Sequence, residues 1–176
     1  MSESEEHWEV PWAKGIVSGS WSPERARLAM TFAGAIRQTG SLMVLMTQAA
    51  ADRIGINATD LNCLNILSFS GQLTAGELAR ATGLTTASIT GVLDRLEQAG
   101  FVRRERDAQD RRRVVIHMDA ERALGTIAPV FGPMLGAMQR LADQYSDDEL
   151  RQIVEFYAQL RGILRDHLAR LRESES

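Results

Sequence analysis

The chain has 176 residues, of which 44% are apolar and 24% charged, with a formal net charge of −3 and a single cysteine, Cys63. At ~150 residues per domain, this is one domain, or one domain with a helical appendage. The lone cysteine excludes an internal disulfide framework and a multi-cysteine zinc site, and points to a reducing, cytoplasmic setting. No apolar run approaches the ~18 residues of a membrane span, and the acidic start (Met1 to Glu6) lacks the apolar stretch of a signal peptide.

The charge is unevenly spread. From Thr74 to Met118 eight arginines face six acids, while the rest of the chain has twelve basic and seventeen acidic residues. A basic island in an acidic chain is a local electrostatic footprint of the kind nucleic acids attract. Nineteen of the basic residues are Arg, and the one lysine, Lys14, belongs to no phosphate-binding or Schiff-base motif.

In chain order, residues 1–21 read as a flexible acidic leader carrying Trp8, Trp12 and Trp21. Ser22, Pro23 and Glu24 form a helix start. A helix rich in Ala, Met and Leu then runs to about Ile54 and stops at Gly55. It is apolar on more than one side, which suggests an intersubunit contact. Asn57 or Thr59 caps the next helix, with Leu61, Leu64 and Leu67 inside it. Thr74 and Glu77 make a capping box opening a short helix that Gly83 ends. Thr85 and Thr86 start another, running to Gly100. Phe101–Arg106 and Arg112–Met118 have strand character around a charged tip, which predicts a β-hairpin. A helix is expected from about Ala120 to Gln144, broken or bent near Pro129 and Pro133. Ser146 and Glu149 form a second capping box, before a long helix with an apolar stripe from Leu150 to Leu171.

Function concentrates between Leu73 and Met118. Two short helices joined at Gly83 and followed by a charged hairpin make a winged helix-turn-helix. A helix fits the major groove of B-DNA when its outward side chains are small or polar. At ~100° per residue, Ile89, Val92, Leu93 and Leu96 share the core side of the second helix. Ala87, Thr90, Gly91 and Asp94 share the other side, flanked by Ser88 and Arg95. A plain amphipathic surface helix would show the same pattern, but the hairpin tips the balance. Six arginines and three acids lie between Val102 and Val114. Arginine suits phosphate forks and minor-groove insertion better than lysine does. Asp110 is placed to pair with Arg112 and hold it extended.

These stretches resemble the winged-helix core of the MarR family of transcription factors: Leu-Thr-Ala-Gly-Glu-Leu-Ala (73–79), Gly-Val-Leu-Asp-Arg-Leu-Glu-Gln-Ala-Gly-Phe-Val (91–102) and Asp-Ala-Gln-Asp-Arg-Arg (107–112). The last is similar to the family's wing-tip signature, with Ala108 where many relatives have proline. The resemblance implies a mainly α fold with a small β-hairpin wing: a winged helix-turn-helix plus N- and C-terminal dimerisation helices. After the leader it implies a dimerisation helix over 22–56, a DNA-binding domain over 57–118 and C-terminal dimerisation helices over 119–176. The implied activity is a homodimeric regulator, more often a repressor, on pseudo-palindromic double-stranded DNA. The residues implied at the DNA are Thr74, Thr85, Thr86, Ser88, Thr90, Arg95 (backbone contact or core-side brace), Asp110, Arg111 and Arg112. Gly91 stands where some relatives place a long basic side chain, so readout would rest on hydroxyls and close packing.

Such regulators commonly answer small aromatic or phenolic effectors. Trp21, Met43, Met46 and Phe69 are candidate pocket linings, although methionines and aromatics at helical spacing are usually core. Cys63 lies among buried positions and reads as a small hydrophobe rather than a redox switch. His7, His117 and His167 are scattered, so neither a metal site nor a cofactor is expected. No catalytic constellation is present. The alternative from another class is an interaction protein that keeps the fold but binds a protein partner through its C-terminal helix.

Overall fold

The computed structural model describes residues 21–107 and 109–173, so the expected leader lies outside the described residues except for Trp21. Among the described residues, seven helices and three strands follow one another. Helix α1 (Pro23–Ile54) begins where Ser22 Oγ accepts the Arg25 N–H at 3.2 Å, with Pro23 in the first turn. It ends at Gly55, whose N–H closes on the Ala51 carbonyl. Helix α2 (Ala58–Ser70) has Asn57 at its N-cap position, but the Asn57 side chain makes no cap hydrogen bond. Strand β1 (Leu73–Thr74) leads into α3 (Ala75–Thr82) and α4 (Thr86–Gln98).

Strands β2 (Val102–Arg106) and β3 (Val114–Met118) form the hairpin, and the sheet is antiparallel in the order β1-β3-β2. The second strand begins two residues later than expected, at Val114 rather than Arg112, because residues 110–113 close a turn. Arg104 pairs with Ile116, and Leu73 also pairs with Ile116 from the other side.

The core is the junction of α2, α3, α4 and the sheet. Leu61, Leu64 and Leu67 from α2 meet Leu78, Ile89, Leu93, Leu96, Phe101 and Ile116, all essentially without solvent access. Burying one such side chain stabilises by ~1.5–3 kcal/mol, enough for this cluster to hold the two short helices at a fixed angle. Gly83 (φ +71°) and Gly100 (φ +77°) turn the chain into α4 and out of it. Both sit in the left-handed region, which costs a residue with a Cβ ~1–2 kcal/mol.

Helix α5 (Ala120–Thr126) starts with Asp119 Oδ1 accepting the Arg122 N–H at 2.8 Å. The expected single helix from Ala120 to Gln144 is instead two. The break falls at Ile127, and α6 (Ala128–Ala142) begins with Pro129 in its first turn, where a missing N–H costs nothing. Pro133 stays inside α6.

The described residues divide into two compact units, one ending at Leu124 and the other beginning at Gly125. In the second, α7 (Asp147–Glu173) opens on the expected capping box: Ser146 Oγ donates to Glu149 at 2.7 Å, and the Ser146 N–H donates at 2.8 Å. Among the described residues no helix is long and apolar enough to cross a membrane.

Candidate nucleic-acid interface

The helix-turn-helix is α3, the Gly83–Thr85 turn and α4. The Thr74 capping box sets the start of α3. Thr74 Oγ1 accepts the Glu77 N–H at 3.2 Å and donates to Glu77 Oε2 at 2.7 Å, and the Thr74 N–H donates to the same oxygen. Its donor is thus spent locally and the residue is half-buried, so the structure gives Thr74 a structural task first. These bonds, the one from the Thr74 backbone foremost, hold the Glu77 carboxyl below the usual glutamate range.

Thr85 caps α4. Its Oγ1 accepts the Ser88 N–H at 3.1 Å and lies 2.8 Å from the Ser88 hydroxyl. Ile89, Val92, Leu93 and Leu96 are buried, as their spacing requires. Thr85, Thr86, Ala87, Ser88, Thr90 and Asp94 are exposed. The Thr90 hydroxyl donates to the Thr86 carbonyl at 3.0 Å. The outward face is therefore short and hydroxyl-rich, and its approach to a surface is limited by Cβ and Oγ atoms rather than long chains.

Arg95 is a brace. Its Nε and Nη2 donate to the Asp60 carboxylate at 3.0 and 2.6 Å. Asp60 on α2 is 1% exposed and is the buried charged residue of this core. Sequence reasoning missed it, because an acid in a helix's first turn passes for an ordinary N-terminal one. The fork ties α4 to α2, and the bond to Asp60 raises the already high basicity of Arg95. Cys63 lies in the same buried region; burial first, and the Asp60 charge second, push its thiol up to about 11.

The wing divides its arginines. Arg103 pairs with Glu105 and lies 3.9 Å from Asp119. Arg104 pairs with Asp94 and Glu97 of α4, and Arg113 pairs with Glu77 of α3 at 3.1 Å. Arg106, Arg111 and Arg112 are exposed and make no ion pair with the described residues. His117, on β3, lies 3.6 Å from Glu105.

The expected pairing of Asp110 with the Arg112 side chain is corrected by the structure. Asp110 Oδ1 instead accepts the Arg112 backbone N–H at 3.0 Å. Asp107 Oδ1 likewise accepts the N–H groups of Gln109 and Asp110 at 2.7 and 3.1 Å, which lowers its pKa. Two short carboxylates thus organise the tip backbone, because they reach amides two and three residues on more easily than a long guanidinium.

Phe69, 92% exposed, borders a cleft with Thr59, Asn62, Asn65, Ile66, Thr82 and Leu84. Trp21, Met43 and Met46 are not among its walls. The Arg25 guanidinium lies 5.9 Å from the Trp21 ring centre. Among the described residues no cluster of His, Cys, Asp or Glu could hold a metal ion.

A short-side-chain helix held on a helix-turn-helix core, beside a hairpin with three exposed arginines that make no ion pair among the described residues, defines a winged helix-turn-helix protein. The model for the MarR family matches residues 56–114. The chain is 40% identical over 149 residues to YcgE of Bacillus subtilis (strain 168), an uncharacterized HTH-type transcriptional regulator, covering 85% of this chain and 96% of that one. Of solved structures, it is similar to transcriptional regulator PA4135, with 26% identity, 73% and 94% coverage and a TM-score of 0.53. It also shares the fold of a mutant MepR from S. aureus bound to an oligodeoxyribonucleotide, with 21% identity, 76% and 97% coverage and a TM-score of 0.50. The chain belongs to the MarR family: it is a transcriptional regulator of the helix-turn-helix, DNA-binding type, and not an enzyme.

Proposed function

We propose that the protein works in the cytoplasm as a homodimeric repressor on a pseudo-palindromic duplex, and that a small aromatic or phenolic effector releases it. The observation that carries this reading is the juxtaposition of the exposed α4 face (Thr86, Ser88, Thr90) with Arg106, Arg111 and Arg112, which are exposed and make no ion pair among the described residues. In this reading α4 enters the major groove, Thr85 and Ser88 meet phosphate at its N-terminus, and Arg111 and Arg112 grip the backbone beside it. Asp110 acts on the duplex indirectly, by shaping the tip, and Arg95 by holding α4.

Dimerisation is supported by apolar side chains left exposed on two long helices. On α1 these include Leu42, Met43, Val44 and Leu45; on α7, Val154, Ile163, Leu164 and Leu168. Apolar stripes of that size on one small protein mark an interaction surface. Two copies related by a two-fold would read half-sites about one helical turn apart, ~34–36 Å. An effector would act by binding one spacing of the two winged domains better than the other, shifting the population by its differential affinity.

Fluorescence anisotropy with duplexes selected from random sequence tests this. Three tip arginines per protomer give six phosphate contacts, so log K should fall with log[salt] at a slope of about −5. Sedimentation should show a dimer, and aromatic acids should raise the dissociation constant. A flat salt dependence, or no binding to any duplex, would overturn the reading and favour a protein-binding module.

A further inference from the structure

Asp94 and Glu97 stand three residues apart on α4, with side chains 61% and 40% exposed. Asp94 belongs to the outward face itself. A helix that approaches phosphates should not carry two open carboxylates, because like charges at close range oppose association. The structure answers this with Arg104 on β2. Its Nη2 donates to Asp94 Oδ1 at 2.6 Å, its Nη1 donates to Glu97 Oε2, and its backbone N–H donates to Glu97 Oε1 at 3.2 Å. The Arg104 side chain is 29% exposed. Arg106, two residues along the same strand, is exposed and has no such partners among the described residues.

We propose that Arg104 is a positioning residue for DNA binding: it covers the two carboxylates of the reading helix, so that this helix and the tip arginines approach one duplex without like-charge repulsion. This rests on the DNA reading above. It assigns Arg104 no phosphate of its own. Its charge is spent within the protein, whereas Arg106, Arg111 and Arg112 make no ion pair among the described residues.

The test is a cycle of variants in the same anisotropy assay: parent, Arg104→Ala, Asp94→Asn/Glu97→Gln, and all three changes together, with melting and sedimentation as folding controls. Arg104→Ala should bind on the order of tenfold more weakly at low salt. That deficit should narrow as salt rises, because exposed carboxylate–phosphate repulsion is screened. Neutralising the acids in the Arg104→Ala background should restore affinity to within about threefold of the parent, and in the parent background should change it by less than that. Arg104→Lys, which keeps the charge without the two-pronged grip, should fall between parent and Arg104→Ala and covers the case in which the alanine variant folds poorly.

Equal gains from neutralisation in both backgrounds would mean simple charge counting and overturn the proposal. So would a triple variant as weak as Arg104→Ala, because Arg104 would then act by something other than covering the carboxylates. If the parent binds duplex and the cycle is additive, only this inference fails; if the parent binds none, the DNA reading fails and takes it along.

Discussion

Replacing Arg95 with Ala strands a buried charge, and the structure sets the size of the effect. Asp60 is 1% exposed and receives two hydrogen bonds from Arg95, at 3.0 and 2.6 Å. Its other polar neighbour, Asn57 Nδ2, is at 3.5 Å, too far to substitute. Removing one partner of a fully buried pair costs ~3–5 kcal/mol. The Arg95 side chain, however, is 50% exposed, so water can enter where it leaves and rehydrate part of the carboxylate. We therefore expect a loss of about 2 kcal/mol. For a protein of this length that lowers Tm by ~4–8 °C. Asp60→Asn should cost less, because the amide still accepts from Arg95. The double variant Asp60→Leu/Arg95→Met should recover most of the loss, since apolar groups of similar size leave nothing unpaired. Circular dichroism melts at equal protomer concentration measure all three, because association contributes to apparent stability. A loss below ~0.5 kcal/mol for Arg95→Ala, or a double variant as destabilised as the sum of Asp60→Leu and Arg95→Met measured singly, would refute the brace.

Arg112→Ala should weaken operator binding by ~1–3 kcal/mol and leave the sedimentation profile unchanged, with gel shift as the readout. Gly91→Ala should stabilise the fold by ~0.5–1 kcal/mol, because a Cβ there meets only Arg95 Nη1 at an ordinary 3.7 Å. The same methyl should weaken DNA binding if α4 approaches base edges closely; a melt and a titration on one sample separate the two effects. Cys63, buried and with its thiol pushed up to about 11, should resist iodoacetamide in the native state at pH 8 and react once urea unfolds the chain. Rapid native labelling seen by mass spectrometry would contradict its burial. Glu77, Asp107 and Glu149 are held below their ordinary values by local hydrogen bonds. Their depressed folded values mean that the stability they add is complete above ~pH 4.3 and is lost as pH falls through the lower folded values. Glu77→Gln should shrink that acid limb in a pH series of urea melts, and an unchanged limb would discount the capping box as its source.

The helices are legible from neighbours in sequence. Ser22 with Pro23, Thr74 with Glu77 and Ser146 with Glu149 act within three residues, and the buried face of α4 follows from a fixed angle per residue. Such interactions need no knowledge of the rest of the chain, and they suffice to place the wing and the reading helix. The division of labour among the arginines is not legible. Arg104 and Arg106 share one face of one strand, two residues apart, yet one is committed to two carboxylates and the other is exposed with no ion pair among the described residues. Arg95 finds Asp60 35 residues away, and Arg113 finds Glu77 at a distance of 36. Pairing between charges so far apart in the chain depends on how the core orients α2, α3 and α4, since ion-pair strength falls within a few ångströms and with exposure to water. Local chemistry thus determined the helix starts and the hairpin; only the packed core decided the edge strand Leu73–Thr74, which charges are consumed inside the protein and which are left to meet a partner.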